Sequence, residues 1–168
     1  GDLDEAERWY RESLAIRREI GDLKGEAYSH RRLGDVASER GDLDEAERWF
    51  RESLAIMRGG GWRSGEAYSL RDLGIIARKR GDYDEAVRLH RDSLAISREI
   101  GERAGEAESL EKLGRAVYGR GDYDEADRLL RDSIRIKNEI GIPLNEWFIE
   151  KGFTDPDADW DFPPPEVE

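Results

Sequence analysis

The sequence predicts an all-α solenoid of about three and a half stacked helix pairs, and three observations predict it. A 40-residue unit repeats: GDLDEAERWY begins at Gly1, GDLDEAERWF at Gly41, GDYDEAVRLH at Gly81 and GDYDEADRLL at Gly121. Between Gly1–Ile16 and Gly41–Ile56 the only difference is Tyr10 against Phe50. A second signature shares the period: GEAYSHRRLG, GEAYSLRDLG and GEAESLEKLG end at Gly34, Gly74 and Gly114. Each unit also carries two apolar stripes at helical spacing, and an apolar stripe must be buried against a neighbour.

The elements follow in order. Ala6, Trp9, Tyr10, Ser13 and Leu14 stand at i, i+3, i+4, i+7 and i+8, which predicts a helix over about 3–19, with Asp4 and Glu5 in its first turn complementing the dipole. Ala27, His30, Leu33, Gly34 and Ala37 form the stripe of a second kind of helix. Gly41, Gly81 and Gly121 fall just past that stripe, where helix-terminating glycines belong. Three full pairs are expected near 24–58, 64–99 and 104–139. Pro143–Lys151 takes the place of one more first-type helix, Pro143 suiting its first turn, with Gly152, Thr154 and Pro156 stopping it. Gly59-Gly60-Gly61 replaces Glu-Ile-Gly of the neighbouring units, so a shortened helix is expected there, with Trp62 filling the gap; a hinge is the alternative. The expected organisation is a repeat array over 1–140, a short capping helix over 141–152 and an acidic, aromatic and Pro-rich tail over 153–168.

Leu33-Gly34, Ala37, Gly41-Asp42, Ala46 and Phe50 resemble the tetratricopeptide repeat signature of Leu-Gly, small, Gly, Ala and aromatic. The pattern returns at Leu73-Gly74, Ala86 and His90, and at Leu113-Gly114, Ala126 and Leu130. The unit is six residues longer than the usual motif and is similar to the repeats of kinesin light chains, of Pins/LGN and of signalling ATPases. The resemblance implies a right-handed superhelical solenoid with a concave groove that binds protein or peptide segments. It departs from the family pattern where a frequent first-helix Trp is His30, Leu70 or Leu110.

The residues offer little to catalysis. His30 and His90 stand in columns filled elsewhere by Leu, Tyr or Phe and are expected to pack. Acid pairs such as Asp84-Glu85 recur with the fold, and the glycine run lacks the Lys and Ser/Thr of a phosphate loop. Cysteine is absent, so thiolate metal sites are excluded, and no metal or cofactor is expected. A net charge of −12 argues against nucleic-acid and anionic-membrane partners. The expected compartment is the cytoplasm.

By the resemblance, the groove is lined by Tyr28, Arg31, Tyr68, Arg71, Arg78, Lys79 and Arg115, and an arginine- and tyrosine-rich face on an acidic protein suits an acidic, aromatic-bearing segment. The tail resembles such a segment: Asp157-Ala158-Asp159-Trp160-Asp161 is similar to the acid–Trp–acid peptides that kinesin light chains recognise, and the following prolines favour an extended chain. Three outcomes compete for the tail, with disorder the default for a charged terminus; Trp147, Phe148, Phe153, Trp160 and Phe162 are too many aromatics for a solvated tail, so part of it is expected to be ordered, as a cap on the last helix pair or as the groove's own ligand. Two further readings stay open. One is head-to-tail self-assembly through the open N-terminal helix and the C-terminal stub; the other is the sensor part of a larger signalling ATPase.

Overall fold

In a computed structural model describing residues 2–160, the chain forms eight consecutive helices. They are α1 (Asp2–Glu19), α2 (Leu23–Glu39), α3 (Leu43–Gly59), α4 (Arg63–Lys79), α5 (Tyr83–Glu99), α6 (Arg103–Arg120), α7 (Tyr123–Ile140) and α8 (Glu146–Glu150). Phe162 and the three prolines lie outside the described residues. Each helix from α1 to α7 packs on the next, and α4 also touches α6, so the first-type helices α2, α4 and α6 stand side by side along one face.

The backbone repeats at half the sequence period. Glycines spaced 20 residues apart, from Gly21 to Gly141, close successive helices with φ between +68° and +89°, a region that side chains with a Cβ rarely adopt. The next N–H bonds back to the carbonyl five residues earlier, as in Asp22 to Arg17, Asp82 to Ala77 and Ile142 to Lys137, each at 2.9 Å. The carboxylates of Asp22, Asp42 and Asp82 then accept from the N–H groups of Gly25, Glu45 and Glu85, capping the following helix.

Small residues let the helices approach. Gly34, Gly74 and Gly114 lie against Phe50, His90 and Leu130, so close that a Cβ would come within 2.5, 2.4 and 2.8 Å of them. Ala46, Ala86 and Ala126 are fully buried beneath them. Serines are paired in the same interior: Ser53 with Ser69 and Ser93 with Ser109, both at 3.0 Å, so burial leaves these hydroxyls bonded.

The glycine run does not shorten its helix. α3 spans 17 residues, as α5 does, and Gly61 is the ordinary left-handed closing residue. Trp62 does lie over Gly60, where an added Cβ would meet the indole at 2.4 Å. Gly59 is helical with nothing within 4 Å of a Cβ. Gly59→Ala is therefore expected to raise stability by about 0.5–1 kcal/mol in a thermal melt. Gly60→Ala is expected to gain nothing.

The C-terminal segment packs as a cap. Phe148 and Phe153 are fully buried with Leu130 and Ile134 of α7, and Leu144, Trp147 and Trp160 close over them. The helix starts later than the sequence suggests. Asn145, not Pro143, caps α8, accepting from the Phe148 N–H at 3.4 Å. Trp160 stacks on Phe153 at 4.8 Å between ring centroids and lies under the Arg131 guanidinium at 4.2 Å. Trp160 sits against α7 rather than in the groove, because Phe153 and Arg131 supply it with an apolar and a cationic face.

Candidate functional site

The first-type helices bring most of the expected groove residues to one face, but they use several of them internally. Tyr68 of α4 is sandwiched between guanidiniums, Arg31 at 5.2 Å and Arg71 at 4.5 Å, and its hydroxyl donates to Glu102 at 2.8 Å. Arg31 is held by Asp72 at 2.5 Å. Arg71 is only 5% exposed, pairing with Glu108 at 2.8 Å and donating to the Gly105 carbonyl. Lys79 is exposed and donates to the Ser38 hydroxyl at 2.8 Å. Tyr28 stands apart, lining a recess with Tyr10, Ser13 and Arg17.

Arg78 is different. It is half-buried on α4 and makes no side-chain hydrogen bond or ion pair among the described residues. Its neighbour on α6 is Arg115, whose pKa is lowered by burial and then by the nearby Arg78 charge.

Arg115 belongs to a cluster built around one carboxylate. Glu111 is 1% exposed and accepts from Lys137 at 2.6 Å, from Asn145 at 2.8 Å and from Lys112 at 3.1 Å, with Arg115 at 3.6 Å. Burial opposes its ionisation, but Lys112, Lys137 and Asn145 together hold its carboxyl down to about 2. Lys112 is in turn lowered by burial, which the Glu111 charge only partly offsets. Arg115 also lies 4.8 Å over the Trp147 ring. One carboxylate thus faces three cations with unpaired Arg78 beside them, so the α4–α6 half of the face carries surplus positive charge.

The other half is apolar and acidic. A cavity of about 340 Å³ is lined by Ala6 and Tyr10 of α1, Val36 of α2, Phe50 of α3, and Asp72 and Ile75 of α4. Asp35 borders it with a raised pKa, from burial first and the Asp72 charge second. Ile75 and Arg78 are one helical turn apart, so the cavity and the unpaired cation adjoin.

His30 and His90 are both buried. His30 meets the Trp49 ring at 5.4 Å and the Arg18 guanidinium at 3.0 Å. His90 lies against Gly74 with neither ring nitrogen hydrogen-bonded. Among the described residues no group of His, Cys, Asp and Glu side chains could hold a metal ion, and no helix is long and apolar enough to cross a membrane.

The cluster's other members were not evident from the face columns. Lys137 sits on a second-type helix, in the column of Arg17, Met57 and Ser97, and Asn145 takes the column of Gly25, Gly65 and Gly105. Asn145 breaks an all-glycine column, which is a signal in the sequence; the Lys137 column varies at every repeat and carries none.

Comparison with known proteins agrees with this architecture. The tetratricopeptide repeat family model matches residues 1–59 and 65–139. No curated protein matches the chain. Among solved structures, BtubC (BKLC) from P. vanneervenii is similar at a TM-score of 0.74 and 21% identity, over 87% of this chain and 61% of that one. The chain thus spans less than two thirds of that relative. A Podosopora anserina protein described as a kinesin light chain with nearly identical TPR-like repeats is similar at a TM-score of 0.67 and 22% identity, over 87% and 71%. At these identities the likeness speaks to the fold. With the family model covering both long stretches of the helical array, the chain belongs to the tetratricopeptide repeat family.

Proposed function

We propose that the protein is a non-catalytic scaffold that seats an acidic, aromatic-bearing segment of a partner protein on the face formed by α2, α4 and α6. Repeats of this family generally mediate protein–protein interaction. The observation that carries the finer reading is Arg78, unpaired among the described residues and next to Arg115, which shares Glu111 with Lys112 and Lys137. Half-buried cations without a counter-charge cost desolvation energy, and an incoming carboxylate offsets it. The adjoining cavity is within the size range of ligand pockets and is walled by Tyr10, Phe50, Ile75 and Ile76, which suits an aromatic side chain. An aromatic residue in the cavity and an acid on Arg78 would then lie one turn of α4 apart.

The test is a fluorescent peptide with the sequence of residues 157–161, titrated into the intact chain. Saturable binding that weakens with salt is expected. Arg78→Glu should weaken it tenfold or more, since a charged hydrogen bond is worth about 1.5–3 kcal/mol. Arg78 has no side-chain partner among the described residues, so its reversal breaks no bond seen there, and circular dichroism verifies that the helices stay intact. Binding that Arg78→Glu leaves unchanged sinks the reading, as does no binding at millimolar peptide.

A further inference from the structure

The bonds that tie α4 to α6 keep a fixed register, and one pair in that register cannot form a salt bridge. Tyr68 donates to Glu102 and Arg71 to the Gly105 carbonyl, each 34 residues on. Arg71 also pairs with Glu108, one turn beyond Gly105, at 2.8 Å. Two turns along α4, the same register carries Arg78 to Lys112 and, one turn beyond it, to Arg115. Where Arg71 meets an acid, Arg78 meets cations.

The juxtaposition is close and unanswered. Arg78 and Arg115 are both half-buried, and after burial the Arg78 charge is the largest influence lowering the Arg115 pKa. Arg78 has no ion pair or side-chain hydrogen bond among the described residues. The acids nearby are committed: Glu108 to Arg71, and Glu111 to Lys112, Lys137 and Asn145. Packing of the repeat does not require two arginines here, because the matching positions between α2 and α4 hold Ser38 and Ile75. Two like charges out of water repel, and an anion between them relieves that cost.

We infer, on the reading that the face of α2, α4 and α6 seats an acidic segment, that Arg78 and Arg115 clamp a phosphomonoester dianion carried on a serine or threonine of that segment. A phosphorylated side chain brings about −1.5 to −2 charge at neutral pH and three acceptor oxygens on one atom. Each guanidinium fork can give two parallel N–H donors to such a group. A carboxylate brings one charge and two oxygens, so it answers one guanidinium and leaves the other unpaired.

Fluorescence anisotropy on the intact chain tests this with two peptides, residues 157–161 and the same peptide with phosphoserine at the position of Asp161. The phosphopeptide is expected to bind roughly tenfold tighter than its parent, the worth of one further charged hydrogen bond. Arg78→Gln should remove that advantage. Arg115→Lys keeps a charge beside Glu111 but loses the fork, so it should cut the advantage several-fold while sparing the parent peptide. Helical circular dichroism checks both variants. Equal binding of the two peptides overturns the inference yet leaves the seating of an acidic segment standing; binding of neither at millimolar concentration overturns both. An advantage that survives either substitution puts the phosphate elsewhere and overturns the clamp. Inorganic phosphate that competes as well as the phosphopeptide does so too, since the ligand is then the free ion.

Discussion

Glu111→Gln is expected to destabilise the protein by about 3–5 kcal/mol, the usual cost of removing one partner from a buried ion cluster. The substitution keeps the side chain's shape and its bond to Asn145 but leaves Lys112, Arg115 and Lys137 without their shared counter-charge. Urea unfolding followed by circular dichroism reads the loss, and a change under about 1 kcal/mol would mean that solvent, not Glu111, compensates these cations. The same group sets part of the acid response. Its carboxyl lies below the ordinary 4.5, at about 2, so the folded state binds its proton less readily than the unfolded state. Its stabilisation is complete above pH 4.5 and is lost as pH falls toward about 2. Glu111→Gln should remove that part of the acid limb. It should also strengthen binding of an acidic peptide at Arg78, because it withdraws the one carboxylate inside the cationic cluster. Lower stability with tighter binding is not an outcome that simple damage to the fold would give.

The fold was legible because it repeats. A 40-residue period with two stripes fixes the helices to within a residue or two, as α3 and α5 illustrate by ending at Gly59 and Glu99. Reading the glycines at 20-residue spacing would have done more, since Gly61 then appears as a regular helix closure and only Gly59 and Gly60 as departures. The site was harder. Column positions place Arg31, Arg71, Arg78 and Arg115 on one face, yet they do not say which guanidinium is already paired. Asp72, Glu108 and Glu111 settle that for Arg31, Arg71 and Arg115, the first two from the next first-type helix and Glu111 from one turn away on α6. The tail was least legible: its charge suited disorder and its aromatics a cap or a ligand, and no sequence pattern shows that Phe153 and Arg131 hold Trp160 against α7.

His90→Phe is expected to stabilise the protein at neutral pH by about 1–2 kcal/mol, and by more as pH falls. Phe50 occupies the matching position against Gly34, so a phenyl ring fits against Gly74. The imidazole, in contrast, is buried with both nitrogens unpartnered. Burial first, and then the charges of Lys112 and Arg115 on α6 and of Arg71 and Arg78 on α4, lower its pKa from 6.5 to about 3. The unfolded chain therefore takes up a proton near pH 6.5 that the folded chain refuses until about 3, so stability drains as pH falls through that interval. At pH 5 the deficit relative to His90→Phe should have grown by about 2 kcal/mol over its neutral value. His30, also lowered by burial, is present in both proteins and cancels from the difference. The interval from 6.5 to 4.5 lies above the pH at which the Glu111 stabilisation begins to be lost, so the two acid effects are separable. Parallel stability curves for the two proteins between pH 7 and 5 would show that the ring is hydrated rather than sealed against Gly74. An acidic peptide seated beside Arg78 would partly neutralise the field on His90, so saturating peptide should narrow the gap between the curves at pH 5.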